Sequence, residues 1–226
     1  MKTIMVCDAI HKVGFEILNR EEDIKVIDAV SVPKDKLLEI LGEADVAITR
    51  SSTEVGEAFL SAAKNLKALV RAGVGVDNVD MDGCSKRGII AMNVPTANTI
   101  AAVELTMAHM LAAARSFPYA HNDLKIDRIW KREKWYGVEL YKKTLGIIGL
   151  GRIGSRVAIR AAAFGMKIVA YDPYIDPSKV TDMGGVYTRN FDDILACDFI
   201  TIHTPKTKET TNMIGEAEIA KMKDGV

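Results

Sequence analysis

The sequence TLGII at residues 144–148 runs directly into GLGRIG at residues 149–154, and this junction decides the fold of the second half of the chain. An apolar strand, a G-x-G-x-x-G turn and a following helix form the pattern of a dinucleotide-binding unit. Gly149 permits the tight turn, Gly151 leaves room for a pyrophosphate, and Gly154 lets the helix pack closely on the strand. The N-terminus of that helix offers free N–H groups and a positive dipole end to phosphates.

A second apolar run, IVAY at residues 168–171, ends in Asp172. A carboxylate at the end of the next strand, about 20 positions after the last glycine, can accept hydrogen bonds from the ribose hydroxyls of adenosine. It would repel the 2′-phosphate of NADP, and no arginine directly follows it, since Pro173 and Tyr174 come next. We therefore predict NAD as the cofactor, against the alternative that the glycines form a purely structural turn.

The composition excludes several classes of function. The chain has 226 residues, enough for two modest domains, and its 30 acidic and 30 basic residues balance, so we expect no nucleic-acid partner. Cys7, Cys84 and Cys197 are far apart and form no C-x-x-C pair, which argues against disulfides and a zinc site. The longest apolar stretches are interrupted by polar residues, so we expect no membrane partner. We predict a cytoplasmic protein that binds no metal.

Strand and helix patterns alternate along the first part of the chain. Strands are expected at 3–7, 24–27, 46–49, 66–70 and 89–92, with helices between them. This alternation predicts a parallel, doubly wound sheet. We assign residues 1–97 to a first domain and residues 144–226 to a Rossmann domain, so the expected fold class is α/β with two doubly wound parallel sheets.

Residues 98–143 are expected to join the two domains. A helix at 99–115 is apolar on nearly all of its faces, which predicts burial between layers or at an interface. The segment 118–143 is charged, carries Trp130 and Trp135, and shows no periodicity of its own. Such a segment usually covers a neighbouring element or docks on a partner subunit. We therefore describe residues 98–143 as a connector helix with a covering segment.

A second glycine-rich turn, RAGVGVDN at residues 71–78, follows the strand expected at 66–70. Gly73 and Gly75 would let successive backbone N–H groups point at one anion. Arg71 is available for a second negative group, and Arg50 ends a neighbouring strand at the equivalent edge, so the two guanidinium groups could converge on a carboxylate or phosphate. The alternative is a simple turn with two arginines in surface salt bridges.

His203 follows the strand expected at 199–202 and begins the sequence HTP at 203–205. The carboxyl end of a parallel strand faces the ligand crevice, so His203 is either a structural residue or a contact to the cofactor, and it is poorly supported as a catalytic base. Asp77 and Asn78 are expected to cap a turn. The remaining histidines, His11, His109 and His121, are expected to be structural or exposed.

Taken together, these motifs resemble those of the D-2-hydroxyacid dehydrogenases, and within them the D-3-phosphoglycerate dehydrogenase type. The resemblance covers the whole chain with its spacing preserved. It rests on RAGVGVDN at 71–78, N-x-x-x-x-x-E from Asn98 to Glu104, GLGRIG at 149–154, YDP at 171–173 and HTP at 203–205. It implies a flavodoxin-like substrate-binding domain, a Rossmann NAD-binding domain, an active site between them, and reversible hydride transfer between C2 of the substrate and the nicotinamide.

The resemblance also implies two sets of site residues. The cofactor set is Val74, Gly149, Gly151, Arg152, Ile153, Gly154, Asp172, His203, Thr204 and Pro205. The substrate set is Arg50, Ser51, Arg71, Gly73, Val74, Gly75 and Asn98. The catalytic Arg, Glu and His of the family would lie beyond Val226. We therefore expect no catalytic residue within residues 1–226, a Rossmann domain that is incomplete at its C-terminal side, and no turnover by this chain alone.

Several functions remain open at this point. The resemblance favours an NAD-dependent oxidoreductase of the 2-hydroxy acid class, most readily one that oxidises 3-phosphoglycerate in the first step of serine biosynthesis. As a partner we expect a second copy of the chain in a homodimer. Arg50 and Arg71 support a phosphorylated substrate. A dehydrogenase for another 2-hydroxy acid and an NAD(H)-sensing corepressor or scaffold are the alternatives. A binding module complete at Val226 is disfavoured, because it would leave an apolar sheet edge unpaired.

Overall fold

The computed structural model describes the backbone of residues 1–226 and the side chains apart from that of Arg132. It divides into two compact units, Met1–Asn98 and Thr99–Val226. In the described part of the chain, no helix is both long enough and apolar enough to cross a membrane.

The first unit alternates strands and helices in the predicted manner. Its strands are β1 (Lys2–Val6), β2 (Ile24–Asp28), β3 (Val46–Thr49), β4 (Ala68–Arg71) and β5 (Ile90–Asn93). Its helices are α1 (Lys12–Leu18), α2 (Lys34–Ile40), α3 (Glu57–Ala62) and α4 (Met81–Lys86), with a 3₁₀ turn at Leu41–Glu43. All strand pairs are parallel and the order is β2-β1-β3-β4-β5, the flavodoxin-like order of a doubly wound sheet.

The core of the first unit lies against the two faces of this sheet. Met5 on β1 and Leu69 on β4 are fully buried, and Leu41 and Val55 pack in the same cluster. Strands covered on both faces are apolar at nearly every position, as Val46–Thr49 is. Because the strands are parallel, the carboxyl ends of β1, β3 and β4 meet at one edge, where ligand-binding side chains are expected.

The second unit holds a smaller parallel sheet. Its helices are α5 (Thr99–Ala114), α6 (Phe117–Lys125), α7 (Gly154–Ala163), α8 (Ser178–Thr181), α9 (Phe191–Leu195) and α10 (Glu216–Ile219), with a 3₁₀ turn at Arg132–Trp135. Its strands are β6 (Thr144–Ile148), β7 (Lys167–Tyr171), β8 (Val186–Tyr187) and β9 (Phe199–Ile202). The order β8-β7-β6-β9 is that of a Rossmann sheet built outward from its first strand. The predicted α/β fold class is confirmed.

Helix α5 packs within the second unit. Val103, Met107, Met110 and Ala114 recur at the spacing of one helical face and are buried in the same cluster as Val157 and its neighbours on α7. The opposite face is exposed, including Leu105. Helix α5 is apolar on nearly all of its faces, yet in this chain one face is buried and the opposite face is exposed to solvent.

Candidate coenzyme cavity and anion-binding turn

The three glycines of the loop after β6 meet three different surroundings. Gly149 has φ +89°, and a Cβ there would lie 2.8 Å from the carbonyl oxygen of His203. At Gly154 a Cβ would collide with the carbonyl oxygen of Gly149 and would stand 3.3 Å from Ile147 Cγ2. At Gly151 a Cβ would meet nothing within 4 Å. The loop is therefore tight on its inner side and open at Gly151, where a ligand can approach the backbone.

Two backbone N–H groups directly before α7 have no acceptor among the described residues. Ser155 N donates to Gly151 O at 3.1 Å, and Val157 N donates to Ile153 O at 3.0 Å. Among the hydrogen bonds of the described residues, none uses the N–H groups of Arg152 or Ile153. These two donors and the positive end of the helix dipole are suited to binding a pyrophosphate.

A cavity of about 370 Å³ lies at the carboxyl ends of β6, β7 and β9. Its wall includes Gly149, Gly151, Asp172, His203, Thr204 and Pro205. The predicted cofactor residues of the second unit therefore gather around one cavity, with Arg152, Ile153 and Gly154 at the adjoining helix start. Val74 lies in the first unit.

Asp172 is fixed by the backbone around it. Its Oδ2 accepts a hydrogen bond from Leu150 N at 2.9 Å, and its Oδ1 accepts one from Tyr174 N at 3.0 Å. A carboxylate has about four acceptor positions, so both oxygens can still accept hydroxyl groups. The residue thus holds the glycine loop and presents acceptors to the cavity at the same time.

His203 is half-buried in the cavity wall. Its backbone N–H continues the sheet by donating to Ile148 O at 2.8 Å, and its Nε2 lies 2.9 Å from Thr201 Oγ1. Burial lowers the pKa of the imidazole, so the neutral ring is favoured at pH 7. A neutral ring bonded to a hydroxyl group is suited to lining a cavity.

The turn after β4 is held by its carbonyl groups. Gly73 O accepts from Val94 N at 2.9 Å, and Val74 O accepts from Asn93 Nδ2 at 2.7 Å. Within the described structure, the N–H groups of Val74 and Gly75 have no acceptor. The turn therefore presents two successive free donors, as an anion-binding turn requires.

The two arginines predicted to bind the substrate, Arg50 and Arg71, stand at neighbouring strand ends with different surroundings. Thr49 pairs in register with Arg71, so Arg50 follows at the next position of the adjacent strand. The Arg71 guanidinium lies against Gly73, where a Cβ would collide with it, and its Nε is buried without a partner among the described atoms. Arg50 is exposed and donates through Nη1 to Ala9 O at 3.1 Å. The structure describes no contact between the two guanidinium groups.

Two residues organise this edge: sequence reasoning missed Asp8 and expected Asn78 only to cap a turn. Asp8, directly after β1, is buried and accepts hydrogen bonds from Thr53 Oγ1 at 2.9 Å, Thr53 N at 3.2 Å and Arg50 N at 2.5 Å. Asn78 donates through Nδ2 to Arg50 O at 2.7 Å and to Thr53 O at 2.6 Å. Together they fix the loop that carries Arg50 and Ser51. The available signal was an acidic residue directly after a buried strand.

Two further members of the predicted substrate set are exposed. Ser51 lies in the loop after β3, and Asn98 is the last residue of the first unit. Among the described residues, neither side chain takes part in a hydrogen bond. Both remain predictions.

The fold and the cavity define a class of protein: a Rossmann-type dinucleotide-binding unit preceded by a flavodoxin-like unit. Residues 107–226 match the family of the D-isomer specific 2-hydroxyacid dehydrogenase, NAD binding domain. The chain belongs to this family, as its motifs predicted, and the prediction of NAD as cofactor is confirmed.

Relatives of known name agree with this assignment. The chain is 44% identical to D-3-phosphoglycerate dehydrogenase of Methanocaldococcus jannaschii, over 99% of this chain and 42% of the relative. It is 41% identical to D-3-phosphoglycerate dehydrogenase of Mycobacterium tuberculosis, over 100% of this chain and 42% of the relative. The chain therefore spans about two fifths of the length of these relatives.

Solved structures share the fold across both units. D-lactate dehydrogenase from Aquifex aeolicus, complexed with NAD and lactic acid, is 32% identical with a TM-score of 0.84, covering 100% of this chain and 67% of its own. A glyoxylate reductase from Paecilomyes thermophila is 28% identical with a TM-score of 0.85, covering 100% and 71%.

Proposed function

We propose that this protein is an NAD-dependent dehydrogenase of 2-hydroxy acids, with 3-phosphoglycerate as its substrate. The observation that carries the proposal is the cavity beside the glycine loop: Asp172 and the open face of Gly151 line it, the free donors of Arg152 and Ile153 adjoin it, and the group is suited to one dinucleotide. The identity of 40–44% to D-3-phosphoglycerate dehydrogenases supports the choice of substrate.

The residues of the second unit divide the binding of NAD among them. The N–H groups of Arg152 and Ile153 would hold the pyrophosphate, and Asp172 would accept the hydroxyls of the adenosine ribose. His203 and Thr204 would line the cavity wall. When bound, NAD takes up a hydride from C2 of the substrate.

The residues of the first unit would bind the substrate. The N–H groups of Val74 and Gly75 are suited to its carboxylate, and the guanidinium groups of Arg71 and Arg50 to its phosphate. Ser51, Gly73 and Asn98 complete the proposed set. In this proposal residues 1–97 form the substrate-binding domain, residues 98–143 the connector and residues 144–226 the NAD-binding domain.

We propose further that the protein acts as a homodimer in the cytoplasm. Four aromatic side chains of the segment 117–136, which we call the aromatic patch, are largely open to solvent: Phe117, Tyr119, Trp130 (72% exposed) and Tyr136 (79% exposed). Large exposed aromatic side chains of this kind mark protein contacts. The described cysteines are free and buried, in keeping with a reducing compartment.

Two measurements test the proposed function. Calorimetry of the purified chain with NAD⁺ should give binding, and the protein in its natural length should reduce NAD⁺ with 3-phosphoglycerate faster than with D-lactate. Binding of NAD⁺ without turnover of any 2-hydroxy acid would favour the sensing role over the enzyme. Absence of NAD⁺ binding would refute the proposal.

A further inference from the structure

The wall of the coenzyme cavity carries a second carboxylate besides that of Asp172. Glu209 lies in the segment after β9 and lines the same cavity. Its Oε2 accepts a hydrogen bond from the hydroxyl of Tyr174, and Tyr174 in turn donates its backbone N–H to Asp172 Oδ1 at 3.0 Å. One tyrosine is therefore bonded to both acidic residues of the cavity.

The turn that carries Glu209 is internally fixed. Thr210 Oγ1 donates to Pro205 O at 2.6 Å and accepts from Thr207 N at 2.8 Å. Thr211 Oγ1 donates to Thr207 O at 2.6 Å. These bonds fasten the turn near the end of β9, so the backbone at Glu209 is held by the turn and its carboxylate by the Tyr174 hydroxyl.

Both negative charges act on the same hydroxyl group. The pKa of Tyr174 is raised, first by its hydrogen bond to Glu209, then by the charge of Glu209, and to a smaller extent by burial and by the charge of Asp172. Lys206 and Lys208 precede Glu209 in the sequence, but neither is among the described residues that line the cavity. The cavity thus presents two carboxylates at this wall.

We propose that Glu209, held by Tyr174, is a specificity-determining residue that acts together with Asp172 to reject the 2′-phosphate of NADP. This inference rests on the proposed binding of NAD in the cavity. A phosphate monoester carries a charge of about −1.5 to −2 at pH 7, so each nearby carboxylate opposes it. NAD has a hydroxyl in place of that phosphate and would bind nearly as well with or without the Glu209 charge.

The test compares the dissociation constants of NAD⁺ and NADP⁺, measured by calorimetry at low salt, in the unmodified chain and in E209Q. Glutamine removes the charge but keeps an acceptor for the Tyr174 hydroxyl. We expect NADP⁺ to bind about three- to tenfold tighter in E209Q, with the gain reduced at 0.5 M salt by screening, and NAD⁺ to change less than about twofold. Y174F, which frees Glu209 to move away, should shift NADP⁺ affinity in the same direction by less.

Glu216 provides the matched control, since it is an exposed acidic residue of α10 that does not line the cavity. E216Q should leave both dissociation constants unchanged. The same comparison in a D172S background brings NADP⁺ binding into a measurable range, and there D172S/E209Q should bind NADP⁺ tighter than D172S. The role of Glu209 would be overturned if E209Q bound NADP⁺ no tighter than the unmodified chain, and D172S/E209Q no tighter than D172S, while NAD⁺ binding stayed intact. Failure of the unmodified chain to bind NAD⁺ would instead refute the proposed function.

Discussion

At the scale of single residues, two glycines of the same loop have different surroundings and are expected to serve different purposes, one stability and the other ligand binding. Gly154 and Gly151 belong to the same motif, yet a Cβ at Gly154 would collide with the carbonyl of Gly149, and one at Gly151 would meet open space. Gly154 is therefore required by the fold, whereas the fold does not require Gly151, and we propose that the ligand does. This difference makes a matched pair of substitutions possible.

We expect G154A to destabilise the chain by about 1–3 kcal/mol, because the added methyl group forces the helix away from the strand. G151A should leave the free energy of unfolding unchanged within about 0.5 kcal/mol, yet weaken NAD⁺ binding, because the methyl group stands where the pyrophosphate approaches. Urea denaturation and calorimetry measure the two effects. A stable G154A variant, or unchanged NAD⁺ affinity in G151A, would contradict this interpretation.

Arg71 allows the substrate to be tested at the same scale. In the natural-length protein, R71A should raise KM for 3-phosphoglycerate about 10- to 100-fold, since a charge-assisted hydrogen bond contributes roughly 1.5–3 kcal/mol. The effect on an unphosphorylated 2-hydroxy acid should be smaller. R87A is the control, because Arg87 forms an ion pair with Glu57. Equal increases in KM for both substrates would mean that Arg71 stabilises the turn and does not recognise the phosphate.

At the scale of elements, helix α5 contributes to the core through one face only. Met107 is 7% exposed in the core of the second unit, whereas Leu105 on the same helix is 57% exposed. M107A should therefore lower the free energy of unfolding by about 2–5 kcal/mol, and L105A should change it by no more than about 0.5 kcal/mol. Thermal or urea denaturation of the two variants measures the contrast. Equal effects would show that α5 does not pack as described.

The starts of β6 and β9 are joined by Asp198. Its Oδ2 accepts from Thr144 N at 2.7 Å and Thr144 Oγ1 at 2.8 Å, and its Oδ1 accepts from Lys223 at 2.8 Å. The hydrogen bond from Lys223, followed by those from Thr144, holds the pKa of this carboxyl well below its usual range.

Because the pKa of Asp198 is lower in the folded state, its contribution to stability is present above the unfolded pKa of about 4 and is lost as the pH falls below it. We expect D198N to lower stability at pH 7 by about 1 kcal/mol and to flatten the loss of stability between about pH 5 and pH 2. Denaturation at a series of pH values tests this. A D198N variant with the full acid dependence of the unmodified chain would rule out Asp198 as its source.

At the scale of the whole molecule, the aromatic patch predicts the state of assembly. Light scattering of the natural-length protein should give the mass of a dimer, and W130E should shift it toward the monomer, because a charge would be buried at the contact. I17E is the control, since Ile17 is an exposed apolar residue of the first unit, outside the patch. A monomeric unmodified protein, or a dimer that W130E leaves intact, would contradict the proposed homodimer.

The sequence was sufficient for the fold class and for the coenzyme loop. Strand and helix alternation is local, and so are the glycines and the acid at the end of the next strand, because each is required by the backbone or ligand at that point in the chain. Some details differed: β4 covers Ala68–Arg71 where 66–70 was expected, and α6 lies within a segment that showed no periodicity. Strand ends and short amphipathic helices depend on their neighbours, which the pattern does not contain.

Only the tertiary structure showed which side chains share a contact. Asp8 meets Thr53, and Tyr174 meets Glu209, because parallel strands bring distant strand ends to one edge of a sheet. The contact of the Arg71 guanidinium with Gly73 was likewise absent from the sequence pattern. Backbone requirements are local, so each one can be recognised at its own position in the sequence. Side-chain partners are selected by how the strands assemble, and so they could be read only from the folded molecule.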